Sequence, residues 1–232
     1  MIKSKFTDFE TKATIGEGIY TVPELAHILK QPAEKINRWI TTFFDDRFAK
    51  EFKRNYSWTI EGSRSKAVNF QTMLELVTMF RLSEQGASTQ QIVKTHSYLS
   101  KQYNSPHPFA DKTVLKLLSV SGKSLIAKIN ESFINADGSE QWNFDFIKSF
   151  LIPAIDFDDN IAVRFYPRGK ESAIVIDPQR KFGSAVVGET NIYPETFYSL
   201  HKAGESNKYI SSIYEVDEKL VMDAIAYCKT AA

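Results

Sequence analysis

Asn37 and Arg38 are neighbouring side chains whose chemistry suits contact with nucleic-acid bases. A carboxamide can form two hydrogen bonds with the edge of adenine, and a guanidinium can form two with the edge of guanine. Lys35 and Arg47 stand close to them in the sequence and carry positive charge of the kind that contacts phosphates. These side chains act together only if the local structure presents them on one surface, so the flanking sequence decides what they do.

Residues 20–40 have the pattern of two short helices separated by a tight turn. Thr21 and Glu24 are spaced as a capping box, in which the hydroxyl and the carboxylate bond to backbone N–H groups at the start of a helix. Pro32 ends this first helix, because the residue before a proline avoids helical backbone angles. A second helix is then predicted from about residue 33 to residue 43.

The predicted second helix has one apolar and one polar face. Its apolar face comprises Ile36, Trp39, Ile40 and Phe43. Lys35, Asn37 and Arg38 fall on the outer face. In a helix-turn-helix the second helix enters the major groove of DNA, and residues near its start contact base edges. The pattern therefore predicts either such a motif or two amphipathic helices of an ordinary bundle.

A β-hairpin is predicted after these helices. Residues 45–55 form a link with four basic side chains, which are Arg47, Lys50, Lys53 and Arg54. Residues 56–60 alternate apolar and polar side chains, residues 61–63 suit a turn, and residues 66–70 return as a second strand. As a wing beside the helices, this hairpin would place Arg64 and Lys66 near the DNA backbone. The alternative is a hairpin whose charges are merely solvated.

Two further helices are predicted after the hairpin. Asn69 is suited to cap a helix with an apolar stripe, and Ser88 with Gln91 forms a second capping box. The helix pair, the hairpin and a helix that ends before Gly-Ala-Ser-Thr-Gln-Gln-Ile resemble the DNA-binding domain of MerR-type regulators, over residues 19–102. Such domains usually continue into a dimerising helix, whereas this chain reaches Asn-Ser-Pro-His-Pro at residues 104–108, which breaks a helix.

Residues 105–170 are predicted to form a small mixed α/β connector. The stretches KTVLKLL and SLIAKIN flank a turn-like Ser-Gly-Lys at residues 121–123 and have the pattern of a β-hairpin. Further elements are predicted at residues 142–151, as a helix, and at residues 161–165 and 173–176, as strands.

The C-terminal residues carry a second resemblance. Their sequence is similar to the family of domains of unknown function numbered four hundred and thirty-three, which is described as predicted antitoxins of toxin–antitoxin operons. The matching residues are Asp177-Pro178, Phe182-Gly183, Val186-Val187, Thr190, Ile192, Gly204-Glu205-Ser206, Ile210, Tyr214, Val221 and Ala224. The family pattern has Gly and Arg on either side of Thr190, where this chain has Glu189 and Asn191. Three short helices are expected here, with ends marked by Pro194, Gly204, Ser206 and Asp217.

The two resemblances, joined by a connector containing His-Pro-Phe-Ala-Asp at residues 107–111, together look like the larger VapB-type antitoxins. That resemblance implies a protein that neutralises a PIN-domain ribonuclease toxin and represses its own operon as a homodimer on double-stranded operator DNA. One way to block such a toxin is to insert a cation into its acidic metal site. Arg168, Arg180 and Lys181 are the candidates for that cation.

The predicted elements and the two resemblances together imply an α+β, mainly helical protein of three parts: a winged helix-turn-helix (1–104), the connector (105–170) and a C-terminal three-helix domain (171–232). The 232 residues have a net charge of +1, with 15 basic and 11 acidic residues before position 105 and 14 and 17 after it. The positive charge therefore lies on the half that carries Asn37 and Arg38. The sequence contains one cysteine, no apolar leader and no stretch long enough to span a membrane, so a cytoplasmic location is expected.

No catalytic constellation is evident, and neither a metal nor a cofactor is expected. The four histidines, His27, His96, His107 and His201, lack the spacing of metal ligands. Asp156, Asp158 and Asp159 are clustered, as in some Mg²⁺ sites, but their position between strands favours a solvated turn. Cys228 is expected to be a small core residue.

Two other functions remain open from the sequence alone. The chain could be a transcriptional regulator whose C-terminal module binds a small ligand or a protein other than a toxin. Alternatively, the C-terminal helices could form a second DNA-binding unit, although the local excess of acidic over basic residues disfavours contact with phosphates.

Overall fold

The computed structural model describes residues 16–60, 65–129 and 146–229, and it describes only the backbone of residues 122–129. The architecture is α+β. The α-helices are α1 (Val22–Leu29), α2 (Ala33–Trp39), α3 (Ala49–Phe52), α4 (Phe70–Glu84), α5 (Thr89–Tyr103), α6 (Lys112–Ile129), α7 (Pro194–Lys202), α8 (Asn207–Tyr214) and α9 (Glu218–Lys229). The strands are β1 (Tyr20–Thr21), β2 (Ser57–Thr59), β3 (Lys66–Val68), β4 (Ile155–Asp158), β5 (Ile161–Phe165), β6 (Ile174–Ile176) and β7 (Ala185–Val187).

The predicted capping boxes start α1 and α5. In α1, the Thr21 N–H and hydroxyl donate to Glu24 Oε2 at 2.7 and 2.8 Å. Ser88 and Gln91 make the equivalent pair of bonds at the start of α5. Helix α1 ends at Lys30, which adopts the left-handed conformation with φ of 52° and turns the chain into α2. Two residues separate Lys30 from α2.

The second helix is longer than predicted. α2 continues without a break into a π-helical stretch, Ile40–Phe48, and then into α3, so the chain is helical as far as Phe52. The expectation that residues 45–55 form a link is therefore wrong for most of that segment. Phe44 and Phe48 are fully buried and extend the apolar face of α2, and this burial favours continued helix.

The predicted β2–β3 hairpin is present, and β1 adds a third strand. The order in this antiparallel sheet is β1-β3-β2, with Tyr20 opposite Val68 and Trp58 opposite Ala67. Because β1 precedes α1 directly, the sheet fixes the position at which the helix pair begins.

The hairpin predicted for KTVLKLL and SLIAKIN is wrong, because residues 112–129 form one helix, α6. Asp111 caps it by accepting hydrogen bonds from the N–H groups of Thr113 and Val114 at 2.8 and 3.1 Å. Val114, Leu115 and Leu118 are fully buried on one face, which is helical spacing.

The second sheet has the antiparallel order β4-β5-β6-β7 and spans two hydrophobic cores. One core runs from Tyr20 to Ile176 and includes Phe109, Leu151 and Phe165, so the predicted boundary at residue 104 falls inside it. The other core joins β6 and β7 to α7–α9. The three predicted C-terminal helices therefore pack against two strands. None of the helices in the described ranges has the length and apolar character needed to cross a bilayer.

Candidate nucleic-acid interface and interdomain cleft

One face of the α2–π-helical segment is exposed and polar. Asn37, Arg38, Thr41 and Thr42 are exposed, whereas Ile36, Trp39 and Ile40 on the opposite face are buried. The Trp39 ring stacks on Phe80 of α4 with ring centroids 4.3 Å apart, which fixes the rotation of the segment about its axis. The exposed carboxamide and guanidinium are consequently presented from a rigid support.

Lys35 does not share that outer face. Its Nζ atom lies 2.9 Å from Gln31 Oε1 and 5.1 Å from the centre of the Phe80 ring, and the side chain is half-buried. The ammonium group therefore sits against the α1–α4 side of the segment rather than beside Asn37 and Arg38.

Lys66 fastens the hairpin to the helical segment. Its Nζ atom forms an ion pair with Asp45 and donates a hydrogen bond to Thr41 Oγ1 at 2.9 Å. The Ser57 hydroxyl of β2 also donates to Asp45, at 2.7 Å. The hairpin thus contacts the helix one turn from Arg38. Arg64, predicted to lie beside it, is outside the described residues.

Arg47 is exposed nine residues beyond Arg38 on the same continuous helical segment. Lys50, Lys53 and Arg54 are exposed as well. Lys50 forms an i,i+4 ion pair with Asp46 on the helix surface. The structure therefore brings Asn37, Arg38 and Arg47 onto one exposed helical segment, with Lys66 at the join to the hairpin.

A buried polar cluster, composed of Thr72, Glu75, Thr78, His96 and His107, holds the His-Pro-Phe-Ala-Asp segment against α4. Glu75 Oε1 accepts the Phe109 N–H at 2.7 Å, and the Thr78 hydroxyl donates to the Phe109 carbonyl at 3.0 Å. Glu75 Oε2 also lies 2.9 Å from His96 Nε2, in an approach too oblique for a well-formed hydrogen bond. Sequence reasoning missed this cluster. The available signal was in residues 72–80 of α4, where Thr72, Glu75 and Thr78 recur at every third position and all the other residues are apolar.

His107 belongs to the same cluster. Its Nε2 atom is 3.2 Å from the Thr72 hydroxyl. Burial, with smaller contributions from the positive charge of Arg54 and from His96, lowers the pKa of His107 from its ordinary value of 6.5 to about 3. The imidazole is therefore neutral at physiological pH and serves as a hydrogen-bonding core residue.

The three predicted toxin-binding cations differ in their environments. Arg180 donates to the carbonyl oxygens of Gly188, at 3.1 Å, and of Thr190, so its guanidinium organises the loop after β7. Arg168 donates to the Ala226 carbonyl at 2.9 Å, near the end of α9. Lys181 is exposed, with its Nζ atom 5.5 Å from the centre of the Tyr193 ring.

Lys181 lies in a loop with an unusual backbone. Lys181, Phe182 and Gly183 have φ values of 48°, 56° and 90°, a conformation that costs free energy in side-chain-bearing residues. The loop leaves the Phe182 side chain 73% exposed. Asp177 steadies its start by accepting hydrogen bonds from Arg164 Nε and the Gln179 N–H, both at 2.9 Å. The result is an exposed cation beside an exposed aromatic ring.

A cleft of about 390 Å³ separates α1 from the C-terminal core. One wall includes Tyr20, Glu24, His27 and Ile28, and the other includes Ala185, Tyr193, Glu195 and Tyr227. At its base, Tyr20 packs so closely on Gly18 and Gly183 that a Cβ on either glycine would lie within 3 Å of the Tyr20 side chain. His27 packs edge-on against Tyr227 with ring centroids 5.1 Å apart.

Comparison with known proteins bears on both halves of the chain. Residues 174–228, which extend from β6 to α9, match the family described as a protein of unknown function (DUF433), and this confirms the resemblance predicted for the C-terminal residues. No curated protein sequence matches the chain. The fold is similar to that in the X-ray crystal structure of Rv2018 from Mycobacterium tuberculosis, with a TM-score of 0.68, 19% sequence identity, and coverage of 89% of this chain and 96% of that chain. At this identity the similarity shows a shared fold.

Proposed function

We propose that this chain is a DNA-binding autoregulator whose residues 16–103 act as a winged helix-turn-helix. The observation that carries the proposal is the contact of Lys66 with Thr41 and Asp45, which joins the β2–β3 hairpin to the helix that exposes Asn37 and Arg38. A helix flanked by a hairpin in this way can enter a major groove while the hairpin follows the backbone. Two copies would bind one operator, because a helix this short contacts only a half-site.

We propose further that the C-terminal unit makes the chain an antitoxin against a PIN-domain ribonuclease. The resemblance of the chain to the larger VapB-type antitoxins motivates this, and the exposed pair Lys181 and Phe182 supplies a surface for the contact. An exposed aromatic side chain beside a cation is a common anchor of protein–protein interfaces. Of the three predicted cations, Lys181 is the best placed to reach an acidic metal site, because Arg180 and Arg168 already bond to backbone carbonyls.

Replacing Arg38 with Ala tests the DNA-binding half. We expect Arg38→Ala to weaken binding to the chain's own promoter fragment by roughly 10- to 100-fold, since one bidentate base contact contributes about 1–3 kcal/mol. Fluorescence anisotropy at fixed salt concentration measures this, with a shuffled duplex measured alongside. If Arg38 contacts a base, the loss on the promoter exceeds the loss on the shuffled duplex.

Lys208→Ala is the matched control, because it removes one exposed positive charge from α8, away from the helix pair. Its promoter affinity is expected to stay within about twofold of the wild-type value. Equal affinity of Arg38→Ala and wild type for the promoter would show that this helix does not contact the operator.

Co-purification from the native host tests the antitoxin half. We expect a small, metal-dependent ribonuclease to be recovered with the tagged chain in a fixed ratio. The double variant Lys181→Glu, Phe182→Ala is expected to lose at least tenfold in affinity for that ribonuclease, because it reverses the charge and removes the ring at the exposed loop. Lys208→Glu serves as its control.

Recovery of the chain alone, still bound to its promoter, would contradict the antitoxin part of the proposal. The chain would then be a DNA-binding regulator without a toxin. Recovery of the ribonuclease with undiminished affinity for the double variant would keep the antitoxin and exclude this loop as its contact.

A further inference from the structure

We propose that the cleft between α1 and the C-terminal core binds a small organic amine in its protonated form, with an apolar or aromatic body. The inference is independent of whether the chain binds a toxin. It depends on the walls, the charge and the unpaired polar atoms of the cleft.

The walls suit an apolar body. The volume of about 390 Å³ lies in the range of small-molecule sites. Ile28 contributes an aliphatic wall, and the phenol rings of Tyr193 and Tyr227 face the cleft from the C-terminal side. Tyr193 is 40% exposed at the rim, whereas Tyr227 is buried deeper against His27. The Lys181 Nζ atom already lies 5.5 Å from the centre of the Tyr193 ring, so Tyr193 offers the ligand apolar contact rather than a site for its charge.

The charge of the lining selects a cation. Glu24 and Glu195 line opposite sides of the cleft and are both exposed, while no lysine or arginine is among the described residues that line it. The capping box of α1 engages only one oxygen of Glu24 in the bonds from Thr21, Oε2. An ammonium group at the rim would therefore meet two carboxylates, and a carboxylate ligand would be repelled.

Two buried polar atoms among the lining residues lack hydrogen-bond partners. These atoms are the Tyr20 hydroxyl oxygen and His27 Nε2. Buried polar groups are normally satisfied, so each of these two atoms calls for a partner that the chain itself does not supply, such as a water molecule or a bound group. A neutral imidazole nitrogen and a phenol oxygen can each accept a hydrogen bond from an N–H donor. Each atom can thus bond to a bound group that carries an N–H or O–H donor, and it is the two carboxylates at the rim that select an amine among such ligands.

The position of the cleft gives a ligand access to the DNA-binding half. Tyr20, Glu24, His27 and Ile28 all belong to β1 or α1, and α1 packs directly on α2. A bound amine would therefore contact both the C-terminal core and α1, the helix that packs on α2.

Three probes of the same shape test the proposal: 2-phenylethylammonium, the neutral 2-phenylethanol and the anionic 3-phenylpropanoate. Each is titrated into the full ¹⁵N-labelled chain at neutral pH, and backbone amide shifts are followed. We expect 2-phenylethylammonium to bind at least tenfold more tightly than the alcohol and the carboxylate not to bind. The shifts are expected to concentrate at residues 24–28 and 183–185.

The variant Glu24→Gln, Glu195→Gln removes both carboxylates, and glutamine at position 24 retains the capping box of α1. It is expected to bind 2-phenylethylammonium at least tenfold more weakly than wild type while keeping the same amide spectrum. Glu205→Gln, an exposed acid outside the cleft, is the control and is expected to bind as wild type does.

Three results would overturn the proposal: equal affinity for all three probes, unchanged affinity in the double variant, or shifts located away from the cleft. Absence of binding by 2-phenylethylammonium at tens of millimolar would overturn it as well. None of these readouts involves DNA or a toxin, so failure here leaves the proposed function untouched.

Discussion

Glu75→Ala is expected to lower the free energy of unfolding by about 3–5 kcal/mol, because truncation of a buried side chain costs about 2–5 kcal/mol and a buried donor left without its acceptor costs about 1–3 kcal/mol. The Glu75 carboxylate is fully buried and accepts the Phe109 N–H at 2.7 Å. Its loss leaves that N–H without its partner, leaves His96 beside an empty space, and opens a cavity under α4. The His-Pro-Phe-Ala-Asp segment would lose its main anchor.

Thermal and urea unfolding measure this effect, and a fall in melting temperature of roughly 6–20 °C is expected for a chain of this size. Glu75→Gln is the informative comparison, because its carbonyl oxygen can still accept the Phe109 N–H. We expect it to lose less than half as much stability. Glu84→Ala is the control, because it removes an exposed acid at the C-terminal end of α4. It is expected to cost less than about 1 kcal/mol.

A loss below about 1 kcal/mol in Glu75→Ala would show that Glu75 is not the main anchor and that the burial of Phe109 and the Thr78 hydrogen bond hold the segment. A loss as large in Glu75→Gln as in Glu75→Ala would instead show that the contact of Glu75 with His96, rather than the hydrogen bond to Phe109, accounts for the effect.

Local signals in the sequence predicted the local structure well. The Thr21–Glu24 and Ser88–Gln91 capping boxes and the Asn69 cap operate within three residues, so their chemistry is fully contained in the sequence around them. The alternation at residues 56–60 and 66–70 likewise identified β2 and β3. The DUF433 resemblance was also evident from residue types and spacing.

Elements whose structure depends on contacts with residues far away in the sequence were predicted less well. In α6, the stretches around residues 121–123 look like two strands, and only the burial of Val114, Leu115 and Leu118 on one face favours a helix. The π-helical continuation through residues 40–48 similarly depends on pockets for Phe44 and Phe48 that other segments supply. Tertiary contacts of this kind override local propensity.

The candidate sites show the same division. Exposure of Asn37 and Arg38 follows from helical periodicity, so it was predictable. The partners of Lys66 and Arg180 come from residues that the fold brings together, namely Thr41 and Asp45 in one case and the loop after β7 in the other. The cleft at His27 could not be predicted from the sequence either, because its two walls are more than 150 residues apart in the chain.

His107 is expected to make the stability of the protein depend on pH. In the folded state its pKa is about 3, because the ring is buried, with Arg54 and His96 nearby; in the unfolded state it returns to an ordinary value of 6.5. Between these values the unfolded chain binds the proton and the folded chain does not, so stability falls as the pH falls from about 6.5 toward 3. From pH 7 to pH 5 this single group is expected to remove about 2 kcal/mol from the free energy of unfolding.

Urea unfolding of the wild type and of His107→Gln at pH 7, 6 and 5 isolates this contribution, because carboxylates such as Glu51 and Asp156 titrate in both proteins alike. His107→Gln is expected to be less stable at pH 7, since the Thr72 contact and the ring packing are disturbed, and to lose about 2 kcal/mol less than wild type on going to pH 5. Thr72→Val keeps the imidazole and removes its hydroxyl partner, so it should retain the wild-type pH slope. Parallel curves for wild type and His107→Gln would show that the buried imidazole does not resist protonation, and that water reaches the ring in the folded state.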